Sequence, residues 1–339
     1  MAPAHPSAAN RFDFIRLVLA MAVFAYHAIV LSALAPMSGL ERIWGQFAEL
    51  AIQGFFIVSG ALVAGSLARS QSLADYAGKR VRRLYPAYAT VILVPALISL
   101  LMGGQGRGVA EYVTANLVFL NFLSPDLPGL FEGNRFTEVN GALWTLKIEV
   151  MFYLCLPVIG WALRMAGRAR WALLLGLYAA GEAWRLGLPV LLDHPMAPML
   201  ARQLPGQMAF FASGIALWQV WDLARSRPLL LGAGGLLLAG LSFVHPWLEP
   251  LRAAGLAGLT ACIAFLPGPA LNAARWGDIS YGVYITHFPI LQALAWLGVF
   301  AMAGHATGFA LSALLVIAAS FALWHLVERP ALRPSSHYR

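Results

Sequence analysis

Ionisable side chains stand inside strongly apolar stretches of this sequence, where they could do chemistry away from bulk water. Arg16 and His27 lie eleven residues apart, close to three helical turns, so they face the same way about 16 Å apart. Asp13 lies one turn before Arg16 and could pair with it. A neutral imidazole can take a proton from a hydroxyl group. The shared face favours a functional pair over a snorkelling arginine and a histidine that merely bonds a neighbouring helix.

A second segment, Trp144–Tyr153, carries a carboxylate at membrane depth. Lys147 and Glu149 are two residues apart, so they do not face each other on a helix. An unpaired buried carboxylate is costly, so Glu149 needs a cation or a proton, and a histidine on another helix is a natural partner. A purely structural pair is the alternative.

Three further patterns have both a chemical and a structural interpretation. Tyr284 and His287 share a helical face, but kinking and packing near Pro289 would explain the segment equally well. The small residues of 54–60, which include Ser59, would admit a thin ligand chain or simply pack closely. The basic run 79–83, with Arg80 and Arg83, would bind phosphate groups or determine topology.

Composition places these residues in a membrane protein. Hydrophobic residues make up 60% of the 339 and charged residues only 11%, against roughly 25% charged residues in soluble domains. The net charge of +8 fits basic cytoplasmic loops that meet anionic lipid. No basic run lies in a long soluble segment, so nucleic acid is not an expected partner. Cys155 and Cys262 lie in apolar stretches and predict neither a disulfide nor a metal site.

The apolar runs predict an all-α, polytopic helical bundle with about ten membrane spans in one domain covering 1–339. The predicted spans are 12–35, 46–67, 84–103, 141–163, 170–188, 204–222, 229–244, 251–266, 278–298 and 307–327. The more polar stretch 109–123 is expected not to cross, or to be re-entrant, because the basic loops then share one side with both termini. That side is cytoplasmic by the positive-inside rule.

Six motifs together resemble the membrane acyltransferase-3 family, whose members acylate cell-surface polysaccharides and other acceptors. They occur in family order along the chain, with Thr145 in place of the usual serine. The motifs are Arg16 to His27, Gly54 to Gly60, Arg80 and Arg83 before Tyr85 and Pro86, Trp144 to Leu154, Ser280 to Pro289, and Glu328 to Pro330. Two departures are expected to matter: Val150 stands where many members carry a second acid after Glu149, and the chain is expected to be the stand-alone form, without an extracytoplasmic esterase-like domain.

The resemblance implies an acyl-CoA donor, with acetyl-CoA expected, and no metal. It implies a catalytic role for His27 and donor binding by Arg16, Arg80 and Arg83. The expected reaction carries the acyl group to a hydroxyl of a cell-surface or exported carbohydrate, at the cytoplasmic membrane of a bacterium. The remaining expected site residues are catalytic Glu149, donor-binding Ser59, and substrate-binding or supporting Trp144, Tyr153, Tyr284 and His287.

Within that expectation, His27 takes the proton of the acceptor hydroxyl while Glu149 or Tyr284 orients its ring. A transient acyl-histidine is equally compatible with the residues. A transporter or flippase for a lipid-linked sugar is the alternative function, and a regulatory membrane subunit is the third. The sequence leaves the acyl group, the acceptor and the oligomeric state open.

Overall fold

A computed structural model describes residues 11–32, 38–269 and 271–333. Within these residues the chain forms helices and connecting turns and contains no strand, which confirms the predicted all-α class. The α-helices are α1 (Phe12–Leu31), α2 (Ser38–Ala68), α3 (Leu73–Leu101), α4 (Gly106–Leu117), α5 (Trp144–Ala166), α6 (Arg170–Leu191), α7 (Ala197–Ala201), α8 (Leu204–Gln219), α9 (Trp221–Ser226), α10 (Pro228–Leu241), α11 (Arg252–Phe265), α12 (Ser280–Trp296), α13 (Val299–Ala303), α14 (His305–Leu323) and α15 (Arg329–Ala331).

Each of the ten predicted spans overlaps an α-helix of 14 residues or more. The largest differences are at the beginnings of α2 and α3, which extend beyond the apolar segments into amphipathic turns. The last residues of the first predicted span, 33–35, lie outside the described residues. Ten crossings and cytoplasmic termini stay predictions.

Six described helical stretches are long and apolar enough to cross a membrane. They are Phe12–Leu31, Gly39–Ala68, Leu73–Leu101, Gly141–Leu191, Pro246–Phe265 and His305–Ala331. The stretch Gly141–Leu191 contains both α5 and α6. Helix α4, which covers most of the polar stretch 109–123, is not among the six.

The described residues group into two compact units. The first unit comes from the described parts of Met1–Ile15, Ile52–Tyr76 and Ile148–Asn272. The second comes from the described parts of Arg16–Ala51, Ala77–Lys147 and Ala273–Arg339.

In the first unit, α2 and α8 approach each other through glycine. A Cβ atom at Gly60 would clash with the carbonyl oxygen of Phe211 and lie 3.0 Å from the Cα of Gly214. Likewise, a Cβ atom at Gly214 would clash with the carbonyl oxygen of Ile57. The small-residue face predicted for 54–60 therefore serves close helix packing at this point.

We expect Gly60→Ala to lower the free energy of unfolding by about 1 to 3 kcal/mol, because the added methyl group must push two backbones apart. Gly176→Ala is the matched control, since a Cβ atom there meets nothing within 4 Å and alanine favours the helix by up to about 1 kcal/mol. Thermal unfolding of both variants in one detergent measures the difference. Equal stability of the two variants would contradict the close approach.

Candidate active site

Two histidines on different helices of the second unit are joined by a hydrogen bond. The Nδ1 atom of His27, on α1, lies 2.9 Å from the Nε2 atom of His287, on α12. Their ring centroids are 5.0 Å apart and the planes differ by 25°. His287 is completely buried, whereas His27 is only half-buried. His27 is therefore the more accessible member of the pair.

The hydrogen bonds of this pair fix the position of each proton. The Nδ1 atom of His287 lies 3.0 Å from the carbonyl oxygen of Val283, and a carbonyl oxygen can only accept, so Nδ1 carries the hydrogen. A neutral His287 then has its lone pair on Nε2, and the Nδ1–H of His27 must donate to it. In neutral His27 the remaining lone pair is on Nε2, where a base or a nucleophile needs it.

Local sequence explains how α12 holds His287 in place. Pro289 has no N–H group, so the carbonyl oxygen of Ile285 lacks its usual partner four residues further along the helix. Asn140 supplies the missing donor through Nδ2, 2.8 Å from that oxygen. The Oδ1 atom of the same side chain accepts from the backbone N–H of Ala142 at 3.2 Å. Asn140 thus ties the beginning of the Trp144 segment to the turn of α12 that carries His287.

Tyr284, one turn before His287, is bonded to another part of the second unit. Its hydroxyl oxygen lies 2.6 Å from Oγ1 of Thr145, and both residues are buried. We predicted that Tyr284 or Glu149 orients the ring of His27. In the second unit the ring of His27 is hydrogen-bonded to His287, and Tyr284 lies beside His287, with ring centroids 6.0 Å apart.

The arginine of the first motif belongs to a buried polar cluster in the same unit. Arg16 forms an ion pair with Asp278 and donates to the hydroxyl oxygen of Ser280 from Nε at 3.2 Å and Nη2 at 3.0 Å. The Ser280 hydroxyl in turn donates to Oδ1 of Asp278 at 2.8 Å. Asp278 is only 3% exposed, so its charge depends on these donors.

Arg83 joins this cluster from α3. Its Nη2 atom lies 2.6 Å from Oδ2 of Asp278, and its Nη1 atom lies 2.6 Å from Oε2 of Glu328. The guanidinium group also lies 5.7 Å from the ring centroids of Tyr281 and Trp324. Trp324 and Glu328 are the first and last residues of a π-helical turn. This local geometry is rare and often occurs at functional sites. The turn brings both an aromatic face and a carboxylate to Arg83.

Glu149 lies in the first unit with two other predicted residues. Its Oε1 atom accepts from Oγ of Ser59 at 3.2 Å and from the hydroxyl of Tyr153. The structure therefore unites three of the predicted residues around one carboxylate. The other two predicted positions are Arg80, half-buried on α3, and Trp144, the first residue of α5.

Asn140 and Asp278 of the second-unit site were not singled out from the sequence, and Glu328 was recognised there as the first residue of a motif without a role of its own. Each lies at the edge of a recognised motif: Asn140 just before the Trp144 segment, Asp278 two residues before Ser280, and Glu328 at the end of the last apolar run. An acid or an amide at the end of an apolar run was the signal that could have found them. Within the described residues, no group of three or more histidine, cysteine or acidic side chains is placed to hold a metal ion.

Comparison with known proteins gives a family match and several relatives. The acyltransferase-3 family, described as an acyltransferase domain, matches residues 10–327. Nodulation protein 10 of Rhizobium leguminosarum bv. viciae is 28% identical over 96% of this chain and 93% of its own length. The O-acetyl transferase of Shigella phage Sf6 is 26% identical over 96% of this chain and 97% of its own. The peptidoglycan O-acetyltransferase OatA of Listeria monocytogenes is 25% identical over 82% of this chain and 49% of its own.

No solved structure matches the chain. The family match covers most of the sequence. Five of the six motifs lie within it, and the sixth, Glu328 to Pro330, follows it directly. The chain belongs to the acyltransferase-3 family: it is an acyltransferase and a multi-pass membrane protein.

Proposed function

We propose that this protein transfers an acyl group, with acetyl expected, from acyl-CoA to a hydroxyl of a cell-surface or exported carbohydrate. The observation that carries the proposal is the hydrogen-bonded chain from Val283 through His287 to His27, which leaves the lone pair of a neutral His27 on Nε2. Two relatives are named as O-acetyl transferases, one of them for peptidoglycan. We further propose that the protein works in the cytoplasmic membrane of a bacterium.

In the proposed reaction, the oxygen of the acceptor hydroxyl attacks the thioester carbonyl carbon while the Nε2 atom of His27 takes the proton of that hydroxyl. The new carbon–oxygen bond forms, the carbon–sulfur bond breaks, and the CoA thiolate leaves. His27 then returns its proton to the sulfur. While the His27 ring is positively charged, its Nδ1–H keeps donating to His287, which holds the ring in orientation as the third group of a catalytic triad does.

A two-step route uses the same nitrogen as a nucleophile. Nε2 of His27 would attack the thioester to form an acyl-histidine and release CoA, and the carbohydrate hydroxyl would then take the acyl group. The tautomer set by His287 serves both routes. Kinetics of the ping-pong type would favour the two-step route.

For the donor, we propose that basic residues at the beginning of α3 hold the phosphate groups of CoA. Lys79, Arg80 and Arg82 lie within one turn of each other, and guanidinium groups bind phosphate well. Arg16 and Arg83 contribute from their cluster at Asp278. CoA is too highly charged to cross the bilayer, so its thin pantetheine arm must reach towards His27 while the acceptor arrives from the opposite side.

The residues around Glu149 support the same proposal from the first unit. Ser59 and Tyr153 keep this carboxylate hydrogen-bonded, and we propose that Glu149 contributes to catalysis and Ser59 to donor binding. Trp144 and Tyr153 would contact substrate.

The proposed function is tested with purified protein in lipid nanodiscs, radiolabelled acetyl-CoA and isolated bacterial surface glycans. We expect equal amounts of free CoA thiol and of base-labile acetyl ester on the glycan, both dependent on the protein. Movement of a glycan carrier across the membrane without CoA release would instead support the transporter. Release of CoA with acetate in place of glycan ester would contradict a carbohydrate acceptor.

A further inference from the structure

Helices α1 and α12 of the second unit are bonded to each other at two levels. Near their first turns, Arg16 bonds to Asp278 and Ser280. Further along, His27 bonds to His287. Both helices run in the same direction between these levels, over about 16 Å on α1 and about 10 Å from Ser280 on α12, and the long Arg16 side chain bridges the difference.

Asp278 is the residue on which the lower level depends. Its two carboxylate oxygens accept from Arg16, from Arg83 and from Ser280. These donors come from α1, α3 and the first turn of α12. Because the carboxylate is buried and multiply bonded, a shift of one helix against another would break several charge-assisted hydrogen bonds at once.

The contact between His27 and His287 at the upper level is more weakly bonded than the cluster around Asp278. One hydrogen bond, at 2.9 Å, joins the two rings, and a displacement of about 1 Å would lengthen it beyond the normal range. The residues around the rings are aromatic, with Phe24 6.3 Å from His287 and Phe288 5.1 Å from His27 between centroids. Such packing tolerates sliding better than a bonded ion pair does. The register of α1 against α12 must therefore be set elsewhere.

We infer that Asp278 is a positioning residue for acyl transfer, which fixes the register of α1 against α12 and thereby keeps the His27–His287 hydrogen bond intact. The inference rests on the proposed catalytic role of His27. Glu328 supports Asp278 indirectly, because it holds the other arm of Arg83. In this arrangement Asp278 does not touch the reacting atoms.

The charges of the cluster allow a positioning role of Asp278 to be distinguished from a role in donor binding. Arg16 and Arg83 carry two positive charges, and Asp278 and Glu328 carry two negative ones when ionised. Asp278→Asn preserves the side-chain shape but removes one negative charge, so the pull of the arginines on a phosphate group does not weaken. A loss of activity through positioning should therefore lower kcat and leave the donor KM unraised.

We expect Asp278→Asn to lower kcat by about 10- to 100-fold, the effect of a displacement near 1 Å at a reacting centre, with the donor KM equal to or below that of the wild type. The decisive test is a double-mutant cycle with His287→Ala, measured by single-turnover transfer of radiolabelled acetyl groups. If Asp278 acts through the two histidines, Asp278→Asn should lower the rate by less than about twofold once His287 is already gone. Asp278→Glu should retain part of the activity.

Folded protein is quantified by size-exclusion chromatography so that all rates refer to folded molecules. Should Asp278→Asn fail to fold, Ser280→Ala replaces it, because it removes the hydroxyl that links Arg16 to Asp278 and keeps the ion pair. Ser280→Ala should likewise lower the transfer rate of the wild type but have little effect on the rate of the His287→Ala variant. Glu182→Gln is the matched control, since it breaks a buried ion pair with Arg185 in the first unit, and its effect should be the same with or without His287.

The inference would be overturned if Asp278→Asn lowered the transfer rate equally in the wild type and in the His287→Ala variant. It would also be overturned if Asp278→Asn raised the donor KM and left kcat unchanged. An inactive wild-type protein would instead overturn the proposed function, so the two failures are distinguishable.

Discussion

Replacement of His27 by alanine is expected to lower the rate of acetyl transfer by about 10²- to 10⁴-fold, the usual contribution of a positioned general base. His27 is half-buried, and the hydrogen bond to His287 leaves the lone pair of its neutral ring on Nε2. Since no contact with the donor phosphates is expected of this ring, the donor KM should stay nearly constant while kcat falls. Transfer from radiolabelled acetyl-CoA in nanodiscs measures both constants.

His194→Ala provides the matched control, because it removes an imidazole on an exposed turn whose bond within the described residues is to the backbone N–H of Met196. Its transfer rate should equal that of the wild type. Near-normal transfer by His27→Ala would reject the role of His27 in either the one-step or the two-step route.

The second large effect is expected at His287, although this residue is completely buried. His287→Leu removes the acceptor for Nδ1–H of His27, so the ring is free to rotate or to change its tautomer. We expect a loss of about 10- to 1000-fold in kcat, as for other groups that orient a catalytic histidine. His287→Gln should retain more activity than His287→Leu, because its side-chain oxygen can accept the same hydrogen bond.

The control for His287 lies in the same unit. His305 packs between the rings of Phe300 and Phe309, with centroid distances of 6.2 and 6.1 Å, and belongs to no part of the candidate site. His305→Leu should keep the wild-type rate in the same assay. Activity of His287→Leu equal to that of His305→Leu would show that His27 needs no hydrogen-bond acceptor.

Much of the helical architecture could be predicted because each membrane span depends mainly on the composition of one continuous segment of the sequence. An apolar run of sufficient length predicts its own helix without knowledge of its neighbours, and the bounds of α6 and α11 fall close to the predicted ones. Amphipathic extensions such as the first turns of α3 were missed, because they are helical without being apolar.

The candidate site could be predicted in part. The eleven-residue spacing of Arg16 and His27 placed both on one face, and in the second unit both reach partners on α12. Ionisable residues within apolar runs are costly, and this cost identified Glu149 as a residue in need of partners. Its partners proved to be Ser59 and Tyr153.

The pairing between helices could not be predicted from one sequence. His27 and His287 are 260 residues apart, and Arg83 and Glu328 are 245 apart, so only packing decides that they meet. Hydropathy gives the position of each helix but neither its neighbour nor its register. For that reason the sequence pointed to Tyr284 or Glu149 as the residue that orients the ring of His27, whereas the contact that the structure describes in the second unit is with His287.

The most direct test of the account is the tautomer of His27 in the folded protein. Protein with ¹⁵N-labelled histidine in lipid nanodiscs gives separate NMR signals for protonated and unprotonated ring nitrogens, and His27→Ala identifies the signals of His27 by their loss. We expect a protonated Nδ1 and an unprotonated Nε2 for His27 at neutral pH. A signal pattern with the hydrogen on Nε2 would contradict it, because the reactive lone pair would then point towards His287.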